Sequence, residues 1–151
     1  MTPSQAATTL IKQFEGCQLK AYPDPQSGAA PWTCGWGCTG PDVTAQTVWG
    51  QDEADHRLQQ EILRAGRLVL LFVKAPVTQN QFDALTSMAY NLGTKFLRLS
   101  NGRPSTLLSK LNSLDYAGAS MEILRWNSPG TAVQKGLDNR RRAEQALFLK
   151  A

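Results

Sequence analysis

Between residues 19 and 50 the helical periodicity that governs the rest of this chain breaks down. The stretch holds five of the twelve glycines, four of the eight prolines and three of the four tryptophans. Proline removes an amide donor and glycine weakens a helix, so short strands and turns are the structures open to it. Both flanks read as helix. Ser4 is a candidate N-cap, Leu10, Ile11 and Phe14 share one helical face, and Gly16 marks the end. Asp52 is expected to cap a long helix, with Glu53 and Asp55 in its positive first turn. Leu58, Ile62, Leu63, Val69 and Leu70 carry that helix towards Val73, and Pro76 stops it.

Further on, Thr78-x-x-Gln81 is a capping-box pattern. Phe82, Leu85, Met88, Ala89 and Leu92 form the apolar stripe behind it, and Gly93 supplies the residue after the helix. Leu107, Leu108 and Leu111 mark a short helix, and Tyr116, Ala119, Ile123 and Trp126 another. The last is expected from about Leu137 to Leu149, with Ala143, Ala146 and Leu147 inward. Phe82 and Trp126 read as core. The predicted class is α+β in a single domain over 1–151. A small β lobe (about 17–50) is joined to a larger helical lobe (about 52–151) that also takes the N-terminal helix.

A chain of 151 residues is long enough to bury about 68–70% of the surface its unfolded form exposes, so it needs no disulfide or metal as a staple. At 42% hydrophobic and 19% charged residues it is not a disordered tail. The net charge of +4 is uneven: residues 1–75 sum to −1 and residues 76–151 to +5. That surplus suits a polyanionic partner, but no motif points to specific nucleic-acid recognition. Three cysteines, Cys17, Cys34 and Cys38, are the wrong number for a disulfide framework, and His56 is the sole histidine. Free thiols, no metal and no cofactor are expected. The N-terminus lacks a basic segment followed by an apolar one, so no signal peptide is expected. The longest apolar patch, Leu68 to Val73, falls far short of the ~20 residues of a transmembrane helix. A monomer kept in the cytoplasm until released is the expectation.

Acid–base hydrolysis of an acetal requires one carboxyl that can stay protonated and a group that activates or orients water. Glu15 ends the first helix beside Phe14 and Ile11, at the negative end of the helix dipole. Asp24 follows in Tyr-Pro-Asp-Pro, a loop stiffened by two prolines. Thr33 heads a strand in which Gly35 and Gly37 alternate with larger residues, a pattern that permits close backbone approach. Taken singly, either acid can be a solvated turn residue and the glycine strand a tight hairpin packed by Trp32 and Trp36.

Together these residues resemble a known family. Phe14-Glu15-Gly16, Tyr22-x-Asp24, Thr33-x-Gly35-x-Gly37 and Gln81-Phe82-Asp83-Ala84-Leu85 to Tyr90-Asn91-Leu92-Gly93 stand in the order seen in phage-type lysozymes. So do Ser105-Thr106-Leu107-Leu108, Arg125-Trp126-Asn127 and Gly136-Leu137-x-x-Arg140-Arg141-x-x-Glu144. The resemblance implies a lysozyme-like fold with a cleft between its lobes. It implies hydrolysis, with inversion, of the β-1,4 bond between N-acetylmuramic acid and N-acetylglucosamine in peptidoglycan. Glu15 would be the general acid, with Asp24 and Thr33 holding the attacking water. Inversion requires carboxyls roughly 6.5–9.5 Å apart. An arginine of the last helix would support the glutamate: Arg140 first, Arg141 second, with at least one of the three consecutive arginines simply solvated. A separate holin is implied for release to the cell wall.

Saccharide contacts are expected from Tyr22, Trp32 and Trp36, which offer flat apolar faces, and from Tyr90, Asn91 and Ser105 in the helical lobe. A plain packing role is the alternative for each. Relatives commonly read Thr-Ile-Gly-Tyr-Gly-His where this chain has Cys34, Trp36 and Cys38. If the strand stays extended, Cys34 and Cys38 lie ~13 Å apart and cannot be bridged. The rival reading of the whole is a catalytically silent wall-binding module on the same fold.

Overall fold

The computed structural model describes residues 1–150, which hold six helices and one two-stranded sheet. The observed class is α+β. The chain divides into two compact units: Ile11–Glu61, and Met1–Leu10 together with the chain from Ile62 onward. Both boundaries fall inside helices rather than in a linker, so the N-terminal helix does not belong wholly to the helical unit.

In the smaller unit lie the last residues of α1 (Gln5–Glu15), the hairpin and the first half of α2 (Gln51–Phe72). Strand β1 (Gln18–Tyr22) pairs antiparallel with β2 (Thr33–Gly35), placing Gln18 opposite Gly35 and Tyr22 opposite Thr33. The spacing differs on the two strands, so β1 bulges between those pairs. Its other edge is covered by Thr47 to Trp49, through Ala21 N–H to the Thr47 carbonyl (3.0 Å) and Trp49 N–H to the Leu19 carbonyl (2.8 Å).

Of the two courses open to the chain beyond Thr33, an extended strand and a tight hairpin, the structure takes the hairpin. The chain reverses at Gly35-Trp36-Gly37, where both glycines have positive φ (64° and 82°). Cys34 and Cys38 then face each other as an antiparallel pair, each N–H bonded to the other's carbonyl at 2.9 and 3.0 Å. Residues so paired stand about 5.5 Å apart at Cα, not the separation of an extended strand. None of the three cysteines is in a disulfide.

The larger unit is built around α3 (Gln79–Leu92), whose residues Phe82 to Ala89 are all buried. The capping box at Thr78 and Gln81 forms as its sequence predicts, and Gly93 follows the helix. A cap of this kind contributes about 1 kcal/mol. Helix α6 (Gln134–Phe148) packs on α3, and the end of α2, α4 (Thr106–Asn112) and α5 (Tyr116–Ile123) contribute to the same buried cluster. Phe82, Leu85, Met88, Phe96, Leu111 and Ile123 are among its buried core, and Trp126 packs against it half-buried.

Two of the buried polar residues of α3 find partners close by. Asp83 accepts from the backbone N–H and hydroxyl of Ser4 and from Gln79. Thr86 donates to the Phe82 carbonyl at 2.8 Å. Ser4 also caps α1 as expected, accepting from Ala6 N–H at 3.1 Å.

Two helix starts differ from expectation. Helix α2 begins at Gln51, so Asp52 stands in its first turn instead of capping it. Helix α6 begins at Gln134 and turns a different face inward. Ala146 is exposed and Ala143 only half-buried, whereas Arg140, Arg141, Glu144 and Phe148 are buried. Apolar spacing misleads here because the buried stripe of α6 is mostly an ion cluster.

Candidate active site

Three of the expected residues converge within the smaller unit. Glu15 ends α1, half-buried. Tyr22 ends β1 opposite Thr33, and its phenol hydrogen-bonds the threonine side chain while lying in the field of Glu15. Burial first, and then the Glu15 carboxylate, raise the Tyr22 pKa above its usual value, and the Thr33 bond opposes them. Tyr22 therefore stays neutral at neutral pH.

The turn that follows β2 completes this patch. A Cβ placed on Gly37 would stand 2.6 Å from Glu15 Oε2, closer than a Cβ can approach. Gly35 is also closely approached, since a Cβ there would press on the Trp49 ring at 3.1 Å and on Ala54 at 3.2 Å. Alternating glycines thus let the turn lie against α1 and α2, the close approach their spacing predicts. Replacing Gly37 with alanine should push the Glu15 carboxyl aside and strain a left-handed backbone by about 1–3 kcal/mol. Lytic rate measured beside thermal unfolding checks this, and activity should fall out of proportion to Tm.

Asp24 sits in a tight turn of its own. Its Oδ2 accepts from Ser27 N–H at 3.0 Å, its amide donates to the Ala29 carbonyl (2.9 Å), and Gly28 N–H returns to its carbonyl (2.8 Å). Trp32 lines a cavity of about 650 Å³ with Pro31, Thr39, Pro41 and Gln46. Trp36, at the tip of the turn, donates its indole N–H to Asp55 Oδ1 at 2.7 Å. The Lys12 ammonium stands 4.7 Å from the centre of its ring.

In the larger unit the other expected residues have the following surroundings. Ser105 is only 3% exposed. Its hydroxyl caps α4 by accepting from Leu108 N–H (3.0 Å) and donates to the Phe96 carbonyl (2.6 Å). Tyr90 is half-buried against the core. Asn91 Oδ1 accepts from Arg141 Nη2 at 2.8 Å. Arg140 and Arg141 share Glu144, with Arg141 Nε 2.7 Å from Oε2 and Arg140 Nε 3.3 Å from Oε1, while Ser87 donates to the same carboxylate at 2.7 Å. Burial pushes the Glu144 carboxyl upward, and Arg141, Ser87 and Arg140 pull against it. Arg142 is the exposed member of the run.

Sequence reasoning missed Asp55 and Lys12, which look like ordinary helix-surface charges, and missed Glu144 as the hub of a buried cluster. The signal for Glu144 was present, since Arg140, Arg141 and Glu144 fall on one helical face. Among the described residues, no group of three or more His, Cys, Asp and Glu is placed to hold a metal ion.

Comparison with known proteins agrees with this architecture. A family model described as phage lysozyme matches residues 12–144. The chain is 44% identical over 152 residues to an endolysin of Bacillus phage PZA, and it spans about half of that relative's length: the match covers 98% of this chain and 55% of that protein. It is 39% identical over 153 residues to an endolysin of Acyrthosiphon pisum secondary endosymbiont phage 1, with 98% of both covered. Among solved structures, the muramidase domain of SpmX from Asticaccaulis excentricus superposes with a TM-score of 0.82 at 32% identity, over 98% of this chain and 97% of that one. The chain belongs to the phage lysozyme family, and its fold is the lysozyme-like α+β fold.

Proposed function

We propose that this protein is an endolysin that hydrolyses the β-1,4 bond between N-acetylmuramic acid and N-acetylglucosamine of peptidoglycan, with inversion, to lyse a bacterial host. On this reading Glu15 protonates the leaving oxygen. Asp24 and Thr33 hold the water that attacks the opposite face of the sugar. The observation that carries it is the convergence of Glu15, Tyr22 and Thr33 in one compact unit, with Gly37 bare beside the acid. Family membership supplies the substrate class. A catalytically silent wall-binding module is the less favoured reading, because binding alone does not require an acid and a hydroxyl brought to one patch.

The surplus of basic residues after residue 75 suits approach to an anionic envelope. No helix among the described residues is long and apolar enough to cross a membrane. The proposal includes a monomeric enzyme held in the host cytoplasm until a separate holin lets it reach the wall.

Product analysis tests the reaction. Digestion of purified peptidoglycan should yield hydrolysed reducing ends that first appear as the α-anomer by NMR. An anhydro-sugar product would instead mark a lytic transglycosylase. Asp24→Ala and Thr33→Ala should each slow turnover by at least about tenfold while wall binding in a pull-down stays near wild type. Equal loss of binding and turnover would place these residues in recognition.

A further inference from the structure

We propose that Asp55 is a positioning residue for the Glu15 carboxyl, acting through Trp36 and the turn that carries Gly37. The inference rests on the acid role assigned to Glu15 above.

Trp36 is the sole side chain that the Gly35-Trp36-Gly37 reversal carries, so any hydrogen bond from a side chain of the turn itself runs through that indole. Asp55 Oδ1 collects three donors from three parts of the small unit. They are Trp36 Nε1 at 2.7 Å from the turn, Lys12 Nζ at 3.2 Å from α1, and Gln51 Nε2 at 3.1 Å from the turn of α2 before it. Lys12 closes the arrangement by standing over the Trp36 ring, three residues before Glu15 on the same helix. One carboxylate oxygen therefore joins the helix that carries the acid to the turn that abuts it. The Trp36 indole is the strongest influence holding the Asp55 carboxyl below its ordinary pKa, with the Lys12 and Gln51 bonds acting in the same sense.

The exposure of this group separates position from stability. The side chains of Lys12 and Asp55 are 35% and 41% exposed. Ion pairs that wet add little to folding stability. What the network does specify is where Gly37 stands. A bare glycine within van der Waals reach of Glu15 Oε2 transmits any displacement of the turn to the acid. Misplacement of a reacting group by ~1 Å can cost about a hundredfold in rate.

Steady-state kinetics on soluble, uncross-linked glycan strands test the assignment. Asp55→Ala should lower kcat about tenfold with KM within about twofold, the pattern of a loss confined to the transition state. Its Tm should fall by less than about 4 °C. Asp55→Asn keeps an oxygen that accepts from the indole and should recover most of the lost rate. Trp36→Phe removes the donor and should match Asp55→Ala, with the double variant no worse than either single one. In ¹⁵N–¹H spectra the Gly37 amide should shift in Asp55→Ala along with the Trp36 indole.

A wild-type kcat in Asp55→Ala, a kcat loss that tracks Tm, or an unmoved Gly37 amide overturns the proposal. A rise in KM alone also overturns it and makes Trp36 a saccharide contact. Glu15→Gln measured alongside keeps the two readings apart. Full activity in Glu15→Gln removes the acid itself, whereas an inactive Glu15→Gln beside a fully active Asp55→Ala removes only the positioning role.

Discussion

Glu15→Gln should lose roughly 10²–10⁴-fold in lytic rate while folding as wild type does. Glutamine keeps the size and the hydrogen-bonding reach of the side chain but has no proton to give to a departing sugar oxygen. Glu15 is half-buried at the end of α1, and its neighbour Gly37 is bare, so the amide fits where the carboxyl does. Turbidity loss of chloroform-treated Gram-negative cells gives the rate, and thermal unfolding gives the fold control. A variant that clears cells as fast as wild type would remove Glu15 from the chemistry and with it the role of the patch. Tyr22 and Thr33 sharpen the test, since the phenol lies in the field of the Glu15 carboxylate and hydrogen-bonds the threonine. Neutralising Glu15 should therefore lower the Tyr22 pKa, a change visible in the ultraviolet titration of the phenol.

The second large effect concerns stability rather than turnover. Glu144→Ala should destabilise the protein by about 3–5 kcal/mol, because it takes from two buried guanidinium groups the carboxylate they share. Arg141 and Glu144 are both 0% exposed and Arg140 is 4% exposed, so water cannot replace the missing carboxylate. Ser87 loses its acceptor in the same step. For a chain of this size the change corresponds to a fall in Tm of roughly 6–20 °C. Arg142→Ala, one residue along on the exposed face, should stay within about 0.5 kcal/mol of wild type. Equal Tm values for Glu144→Ala and Arg142→Ala would show that the cluster contributes nothing to the fold. The contrast also explains why three consecutive arginines cannot be read as one surface feature.

Much of the architecture is legible in local sequence. The capping box at Thr78 and Gln81, the cap at Ser4 and the glycine ends after Glu15 and Leu92 are interactions between residues a few positions apart. Their signals survive without knowledge of the rest of the fold. The glycine and proline content of residues 19–50 located the sheet and its loops for the same reason. Helix α6 shows the limit. An apolar stripe is a sound guide where burial is apolar, but its inward face carries Arg140, Arg141 and Glu144, whose burial depends on their having one another. Periodicity therefore favoured Ala143 and Ala146, which are small enough to sit on either face.

The candidate site divides along the same line. Glu15, Asp24 and Thr33 stand in motifs whose order along the chain is readable, and Gly35 and Gly37 announce a close approach without naming what approaches. That the neighbour of Gly37 is the Glu15 carboxyl depends on the chain reversing at Trp36, and so does the pairing of Cys34 with Cys38. The partners that hold the reversal lie far away in sequence: Asp55 is 19 positions from Trp36 and 43 from Lys12. Ser87 and Glu144 are 57 apart. Helices, caps and turns follow from neighbours because backbone dihedrals and short-range hydrogen bonds set them. Which charge is buried, which oxygen collects three donors and which glycine faces the acid depend on packing across those distances, where burial sets the cost of leaving a polar group alone.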